Sequence, residues 1–286
     1  MWINIPCMTD NRGSDPSSPS AARGASSAYT PPQARPGWSG NGMVATLNDT
    51  GFMFEVRDRF ADAFIEQAGR LGRTTGQPVL EVGCAYGVST IPALEAGARI
   101  TASDLEQRHL DVLRDKVPPA LLSRLELLAG ALPHMDFPAG KFGAILCSRV
   151  LHFLSGEDID ASVRKMAGWL APGGHLYLVA DTPYGIWRRK VPEFEAAKAR
   201  GDRWPGLMVG LHNYLPESAT AKAKAAKKRI DKPAFMNVLD PELLSRTCLE
   251  AGLTVLDAAF IPRPDFAGPG RMDDRENAGV LAVKPA

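Results

Sequence analysis

The segment Val79–Gly87 constrains the fold more than any other part of the chain. It reads Val-Leu-Glu-Val-Gly-Cys-Ala-Tyr-Gly, a short apolar run that ends in a turn of small residues. A short, mostly apolar run of this kind is typical of a strand buried inside a parallel sheet. Glycines allow a sharp turn into a following helix, whose N–H groups and small neighbours suit a bound ligand. The pattern therefore predicts a strand, a tight turn and a helix that together hold a ligand.

Two other interpretations of this segment need to be weighed. A structural turn between a strand and a helix would give the same pattern, and the motif alone leaves that alternative open. A nicotinamide dinucleotide site is disfavoured, because its G-x-G-x-x-G motif needs glycine where this chain has Ala85 and Val88. Asp104 lies 21 residues after Gly83, at the end of the next apolar run. An acid there can accept the hydroxyls of a ribose, or it can cap the helix that follows.

Strands and helices alternate along the middle of the chain. Apolar runs predict five strands, over residues 77–83, 99–104, 125–129, 142–148 and 175–180. Helices are predicted between them, and a further helix is predicted to begin at Asp49 or Thr50 and to run through Phe54 and Phe64. This alternation predicts a parallel sheet with helices on both faces. Residues 254–261 and 278–283 predict two final strands, and the short loop between them favours an antiparallel pair.

Composition excludes several classes of protein. The chain has 286 residues and a formal net charge of +1, which argues against a general nucleic-acid binder or a polybasic membrane-surface protein. No apolar run approaches the roughly 18 residues of a membrane helix, and the N-terminus lacks the basic start of a signal peptide. The four cysteines lie far apart without a CxxC pair, so we expect reduced thiols in a cytoplasmic protein and no metal site.

The chain divides into a tail (1–42), a core (43–184), an insert (185–235) and a C-terminal part of the core (236–286). The tail is rich in Pro, Ser and Gly, which favours disorder, although Tyr29, Trp38 and Met43 would suit a lid over a ligand. Residues 185–232 hold 12 basic and five acidic side chains, a net charge of +7. A solvated helical face explains this charge most simply; capture of an acidic substrate or of RNA is the alternative.

In this order and spacing, the motifs resemble those of class I S-adenosylmethionine-dependent methyltransferases of the small-molecule type, over roughly residues 54–184 and 236–284. The resemblance implies an α/β fold: a seven-stranded, doubly wound, Rossmann-like sheet with its last strand antiparallel, and an insert that forms a helical lid. It implies S-adenosylmethionine as the cofactor and S-adenosylhomocysteine as the product. It also implies cofactor contacts from Glu81, Gly83, Ala85, Gly87, Asp104, Leu105, Ala131, Leu132 and Ser148.

This chain departs from the family's pattern at two positions. Ala85 replaces the usual central glycine of the turn, and the added methyl group should leave the loop intact. Ala131 stands where the family often has an aspartate that binds the adenine amine. The backbone N–H of Leu132 is left to contact the adenine. These departures keep open a non-catalytic, cofactor-binding regulator as an alternative to an enzyme.

Methyl transfer from a sulfonium depends mainly on holding donor and acceptor in line, which can lower the barrier by roughly 7–11 kcal/mol. A base is needed only for an acceptor whose pKa lies well above the working pH. His152 is the first candidate base, and packing beneath the cofactor is its equally weighted alternative. His212 and Tyr214 form a second candidate group, for which a plain surface segment is the simpler interpretation. His134 and Asp181 are weaker candidates.

The sequence therefore predicts methyl transfer to an oxygen or nitrogen of a small molecule. A protein or RNA methyltransferase is the enzymatic alternative, supported only by the basic insert. An acidic or aromatic acceptor would suit the insert's charge and an apolar pocket walled by its large side chains. Those side chains otherwise form a small core of their own (Trp187, Trp204, Met208 and Tyr214). Neither a nucleic-acid nor a membrane partner is expected, and the oligomeric state is left open.

Overall fold

The structure is a computed structural model that describes residues 43–48, 52–215, 234–266 and 273–286. Its strands are β1 (Met43–Ala45), β2 (Phe52–Phe54), β3 (Val79–Val82), β4 (Ile100–Asp104), β5 (Leu125–Ala129), β6 (Phe142–Ser148), β7 (Leu170–Asp181), β8 (Leu207–Val209), β9 (Phe235–Asn237), β10 (Thr254–Ile261) and β11 (Asn277–Val283). Its helices are α1 (Arg59–Thr74), α2 (Thr90–Glu95), α3 (Gln107–Lys116), α4 (Gly156–Trp169), α5 (Val191–Ala199) and α6 (Pro241–Glu250).

Seven strands form one central sheet in the order β10-β11-β7-β6-β3-β4-β5. Strands β3 to β7 run parallel to their neighbours within this group, and β11 lies antiparallel between β7 and β10. The predicted α/β sheet with an antiparallel last strand is therefore confirmed. The carboxyl ends of β3, β4, β6 and β7 meet at one edge of the sheet, where open α/β sheets bind their ligands.

Helices cover both faces of the sheet, as the alternation predicts. Val79 packs on one face with residues of α1 and α3, and Leu80 packs on the other with residues of α4 and α6. Successive side chains of a strand point to opposite faces, so a strand buried on both sides is mostly apolar. This explains why β3 is apolar in the sequence except at Glu81.

The predicted start of the first helix is wrong. Helix α1 begins at Arg59, after Asp58, whose carboxylate accepts the N–H groups of Phe60 and Ala61 at 3.0 Å. Phe52–Phe54 instead forms β2, which pairs antiparallel with β1. A cap needs a side-chain acceptor next to the first turn, and Asp58 supplies it. Asp49 and Thr50, like Tyr29 and Trp38 of the tail, lie outside the described residues.

The described half of the insert packs against the core. Arg203 forms ion pairs with Asp160 of α4 and Glu250 of α6, and Lys198 pairs with Asp240 and Glu242 at the start of α6. The buried Trp187 and Met208 join the same apolar cluster as the sheet residues, with Trp204 and Tyr214 against it. The insert contains α5 and β8, and β8 pairs antiparallel with β9. Residues 216–233, with the Lys-rich run, lie outside the described part.

Across the four described ranges, no helix is both long and apolar enough to cross a membrane.

Candidate functional site

The turn after β3 is held by backbone hydrogen bonds to the neighbouring strand. The N–H groups of Gly83 and Cys84 both donate to the carbonyl of Ser103, at 2.8 and 3.0 Å, and Gly87 N–H donates to the carbonyl of Cys84 at 2.9 Å. Gly83 has a φ of +73°, and a Cβ there would lie 2.3 Å from Cγ2 of Val150. Glycine is therefore required at position 83 for its backbone conformation and for its closeness to the segment after β6.

Ala85 adopts a left-handed conformation with a φ of +44°. For a residue with a Cβ, this conformation costs roughly 1–2 kcal/mol. The strain aims the N–H of Ala85 at Oδ2 of Asp104, 2.8 Å away. The turn thus keeps its shape without the family's central glycine, and its backbone is tied to the acid at the end of β4.

Three donors fix the carboxylate of Asp104, which is only 6% exposed. Oδ2 accepts Ala85 N–H, while Oδ1 accepts Glu106 N–H and His109 Nδ1–H, each at 2.9 Å. The N-cap of α3 is Glu106, so the interpretation of Asp104 as the cap of that helix is wrong. The three bonds leave one lone pair on Oδ2 among the described contacts, and a hydroxyl group can donate to it.

His109 is part of this site, although the sequence reasoning above does not select it. It lies five residues after Asp104, in the first turn of α3, and its ring is buried beside the carboxylate. A histidine just inside the helix that follows a ribose-type acid is the signal that would have found it. Its partner Leu47 lies 62 residues earlier in the chain, a contact that no local pattern reveals.

Apolar surface flanks Asp104 on the side of β5. Leu105 is 66% exposed, which is unusual for a large apolar side chain next to a buried acid. Gly130 N–H donates to the carbonyl of Asp104 at 2.9 Å, so Ala131 and the buried Leu132 follow immediately beside it. A flat apolar ring such as adenine would cover this surface.

Glu81 lies beneath the turn, inside β3. Its side chain is buried and accepts a short hydrogen bond from the Thr90 hydroxyl at the start of α2. Burial raises the pKa of Glu81 to about 7. The residue therefore links the strand to the helix that follows the turn, and its charge depends on pH near neutrality.

The raised pKa of Glu81 predicts a pH-dependent stability. The unfolded chain releases this proton near pH 4.5 and the folded protein near pH 7, so the free energy of unfolding should fall as pH rises between those values. Glu81→Gln removes the titration and keeps an oxygen for Thr90. The free energy of unfolding of the variant, relative to that of the unchanged protein, should therefore rise by about 2 kcal/mol from about pH 5 to about pH 8. Urea denaturation at the two pH values measures this change. The exposed Glu95→Gln is the control, and an equal gain there would contradict the assignment.

The segment after β6 closes the other side of the site. Ser148 ends β6 half-buried, and Arg149 N–H donates to the carbonyl of Val179 at 2.8 Å. His152 is fully buried, and its Nδ1 accepts the N–H of Asp181 at 3.2 Å. Burial, reinforced by the charge of Arg149, lowers the pKa of His152 well below its usual range. The ring is therefore neutral, with its proton on Nε2.

Asp181 anchors a polar cluster at the carboxyl end of β7. Its Oδ1 accepts Arg149 Nη1–H at 3.2 Å and Asn277 Nδ2–H at 3.0 Å. Burial raises the pKa of Asp181 to about 6. The guanidinium of Arg149 also stacks on the ring of Phe54, 3.9 Å from its centroid. Strand β2 therefore lies against the cluster, which the sequence does not indicate.

The insert holds the second candidate group. His212 and Tyr214 lie in a short 3-10 turn over Leu211–Tyr214. The Tyr214 hydroxyl donates to Glu193 at 3.4 Å, and the ammonium of Lys190 lies over its ring. Tyr214 therefore contacts charged residues of the insert itself, whereas His152 contacts Asp181 at the end of β7. His134 follows Leu132, and its N–H donates to the carbonyl of Ala131 at 2.8 Å.

Comparison with known proteins gives a consistent result. Residues 79–174 match the family model described as a methyltransferase domain. The cypemycin N-terminal methyltransferase of a Streptomyces species is 34% identical over 110 residues, 38% of this chain and 43% of that protein. The demethylmenaquinone methyltransferase of Tropheryma whipplei is 36% identical over 109 residues, 37% of this chain and 42% of that protein. The chain thus aligns with less than half the length of these relatives.

Solved structures match the fold over most of the chain. A methyltransferase from Mesorhizobium loti superposes with a TM-score of 0.54 at 18% identity, over 78% of this chain and 95% of that one. The 4+2 cyclase SpnF also superposes with a TM-score of 0.54, at 19% identity, over 80% of this chain and 81% of that one. Identities this low relate folds, and the fold is shared by proteins of different chemistry.

The matched domain contains the turn after β3, Asp104 and the segment after β6, and the strand order around it is that of the solved methyltransferase fold. Residues 79–174 are therefore similar to a methyltransferase domain, and the fold around them is that of a solved S-adenosylmethionine-dependent methyltransferase.

Proposed function

We propose that this protein transfers the methyl group of S-adenosylmethionine to an oxygen or nitrogen atom of a small molecule and releases S-adenosylhomocysteine. The observation that carries the proposal is the fixed carboxylate of Asp104, held by the N–H of Ala85 from the turn and by His109 from α3. This arrangement joins the two motifs that the family uses for its cofactor. The residues present suit that cofactor.

Each part of the cofactor has a matching part of the site. Asp104 offers Oδ2 to a ribose hydroxyl, and the exposed Leu105 with the backbone N–H of Leu132 would receive the adenine. Gly83 gives the methionine end close access to the backbone, opposite Ser148. S-adenosylmethionine supplies an electrophilic methyl group when it is bound. The residues around it have to orient both partners and exclude water.

The acceptor side does not require a strong base. His152 is buried, neutral and engaged at Nδ1 by the N–H of Asp181, so we assign it a positioning role beneath the site. Arg149, Asp181 and Asn277 form a rigid polar wall at the end of β7. An acceptor that is already deprotonated or is a free amine then reacts through alignment alone.

A small-molecule acceptor is supported by the relatives. One is named for demethylmenaquinone, one for ubiquinone biosynthesis and one for the N-terminus of cypemycin. The basic insert would favour an acidic group on the acceptor. Ion pairs with the core already engage Lys198 and Arg203 of that insert, which reduces the charge left for a nucleic acid.

Turnover tests the proposal directly. The protein is incubated with methyl-labelled S-adenosylmethionine and a panel of phenols, catechols, quinols and peptides with a free N-terminus. We expect S-adenosylhomocysteine and a singly methylated product in equal amounts. Label recovered only in added RNA or protein would favour the alternative enzyme. Tight cofactor binding with no transfer to any class of acceptor would favour the non-catalytic regulator.

His152→Ala separates positioning from cofactor binding. Loss of the ring removes the acceptor for Asp181 N–H and loosens the end of β7, so turnover with the best acceptor of the panel should fall about tenfold. The dissociation constant for S-adenosylhomocysteine should change by less than about threefold, because the ring accepts its hydrogen bond from the backbone of Asp181. His175→Ala, in the middle of β7, is the control. Unchanged turnover in His152→Ala would remove the assigned role.

A further inference from the structure

His109 connects the carboxylate of Asp104 to the backbone of residues 43–48, which we name the N-terminal strap. Its Nδ1 lies 2.9 Å from Asp104 Oδ1, and its Nε2 lies 2.8 Å from Leu47 N. The side chain is 1% exposed, so water does not compete for either bond. Leu47 N–H can only donate, which makes Nε2 the acceptor and leaves the proton of the neutral ring on Nδ1. The strap therefore selects the tautomer that donates to Asp104.

Two more hydrogen bonds hold the strap at the cofactor side of the sheet. Arg108 Nη2 donates to the carbonyl of Leu47 at 2.8 Å, and the Tyr86 hydroxyl donates to the carbonyl of Ala45 at 2.9 Å. Tyr86 belongs to the turn after β3, and its ring meets His109 edge to face at 5.1 Å between centroids. The strap is thus anchored to both elements that flank Asp104.

We propose that His109 is a positioning residue that couples docking of the N-terminal strap to occupancy of the ribose site at Asp104. The proposal rests on the proposed function, since it takes the ribose to be that of the cofactor. With the strap docked, His109 donates to Oδ1 and the remaining lone pair of Oδ2 is presented to a ribose hydroxyl.

With the strap undocked, the ring is free to carry its proton on Nε2 instead. Nδ1 would then turn a lone pair toward the carboxylate, which is repulsive and allows Asp104 to reorient. Docking of the strap and binding of the cofactor consequently favour each other. By linkage, the strap raises cofactor affinity by the same factor by which the cofactor favours docking.

Titration of full-length variants with S-adenosylhomocysteine tests the coupling. His109→Leu removes both hydrogen bonds and should weaken binding about tenfold. His109→Asn keeps a donor near Asp104, but its side chain is too short to reach Leu47. It should therefore weaken binding less than His109→Leu does. Arg108→Ala removes a strap contact without touching Asp104 and should weaken binding about threefold. The double variant His109→Leu/Arg108→Ala should bind S-adenosylhomocysteine only slightly more weakly than His109→Leu, because both changes act through the N-terminal strap.

Hydrogen exchange at Leu47 gives a readout that a purely structural role would not change. S-adenosylhomocysteine should slow exchange of the Leu47 amide several-fold in the unchanged protein and leave it unaltered in His109→Asn. The control is His175→Asn, whose ring contacts Gln67 rather than the strap. If His109→Leu fails to fold, Arg108→Ala decides the question, since its side chain is exposed.

The outcomes separate the two proposals. If the unchanged protein does not bind S-adenosylhomocysteine, the proposed function and the coupling both fail. If the unchanged protein binds S-adenosylhomocysteine and both Arg108→Ala and His109→Leu bind it with the same affinity as the unchanged protein, the coupling alone is overturned. The coupling is also overturned if S-adenosylhomocysteine leaves the exchange rate of the Leu47 amide unchanged.

Discussion

Replacement of Asp104 with asparagine should weaken the binding of S-adenosylhomocysteine by about a hundredfold. Three donors converge on the two oxygens of this carboxylate, from Ala85, Glu106 and His109. An amide offers one oxygen and turns an NH2 group toward at least one of those donors. The lost acceptor and the buried, unpaired donor together cost about 3 kcal/mol, which corresponds to that loss of affinity. Calorimetric titration measures the change.

Asp111→Asn provides a matched control for this prediction. Asp111 lies on α3, the helix that follows Asp104, where it accepts a hydrogen bond from Gln107 at 2.9 Å on the exposed side. The variant carries the same change in charge and should bind S-adenosylhomocysteine as the unchanged protein does. If Asp104→Asn binds within about threefold of the control, Asp104 does not hold the cofactor.

Gly83→Ala should lower the free energy of unfolding by about 3 kcal/mol and abolish cofactor binding. The φ of +73° accounts for roughly 1–2 kcal/mol, and the overlap with Val150 Cγ2 at 2.3 Å adds a similar amount. To relieve that overlap, Val150 must move, and with it the segment that leads to His152. Urea denaturation and titration with S-adenosylhomocysteine measure the two effects.

Two further variants separate backbone strain from crowding. Gly173 has a φ of +72° and no atom within 4 Å of its Cβ position, so Gly173→Ala should show the cost of strain alone. Gly83→Ala/Val150→Ala removes the overlap and should recover stability to about the level of Gly173→Ala. An equal loss in Gly83→Ala and Gly173→Ala would mean that the turn and the segment after β6 are not in close contact.

The central sheet was predictable because its signals are local. Buried parallel strands require apolar runs, and the bounds predicted for β5 and β6, residues 125–129 and 142–148, are those of the structure. Ser155 and Asp240 cap their helices through side-chain bonds to N–H groups three residues later, which is a local signal of the same kind. The close spacing of the turn after β3 and Asp104 likewise placed the candidate cofactor site.

The parts that were missed depend on contacts between distant residues. Phe54 lies in a strand because β1 pairs with β2, and its ring lies beneath Arg149, which is 95 residues later. His109 gains its place in the site from Leu47, whose contact no helical pattern predicts. The position of the insert follows from ion pairs such as that of Arg203 with Asp160, which its net charge does not reveal. The division of the chain into tail, core and lid stays a proposal.

We propose that the turn after β3 and Asp104 bind S-adenosylmethionine or its product S-adenosylhomocysteine rather than a dinucleotide. Calorimetric titration of the unchanged protein with S-adenosylhomocysteine, and in parallel with NAD, tests it most directly. We expect saturable one-to-one binding of S-adenosylhomocysteine and no heat of binding with NAD. Binding of NAD, or no binding of S-adenosylhomocysteine, would contradict it.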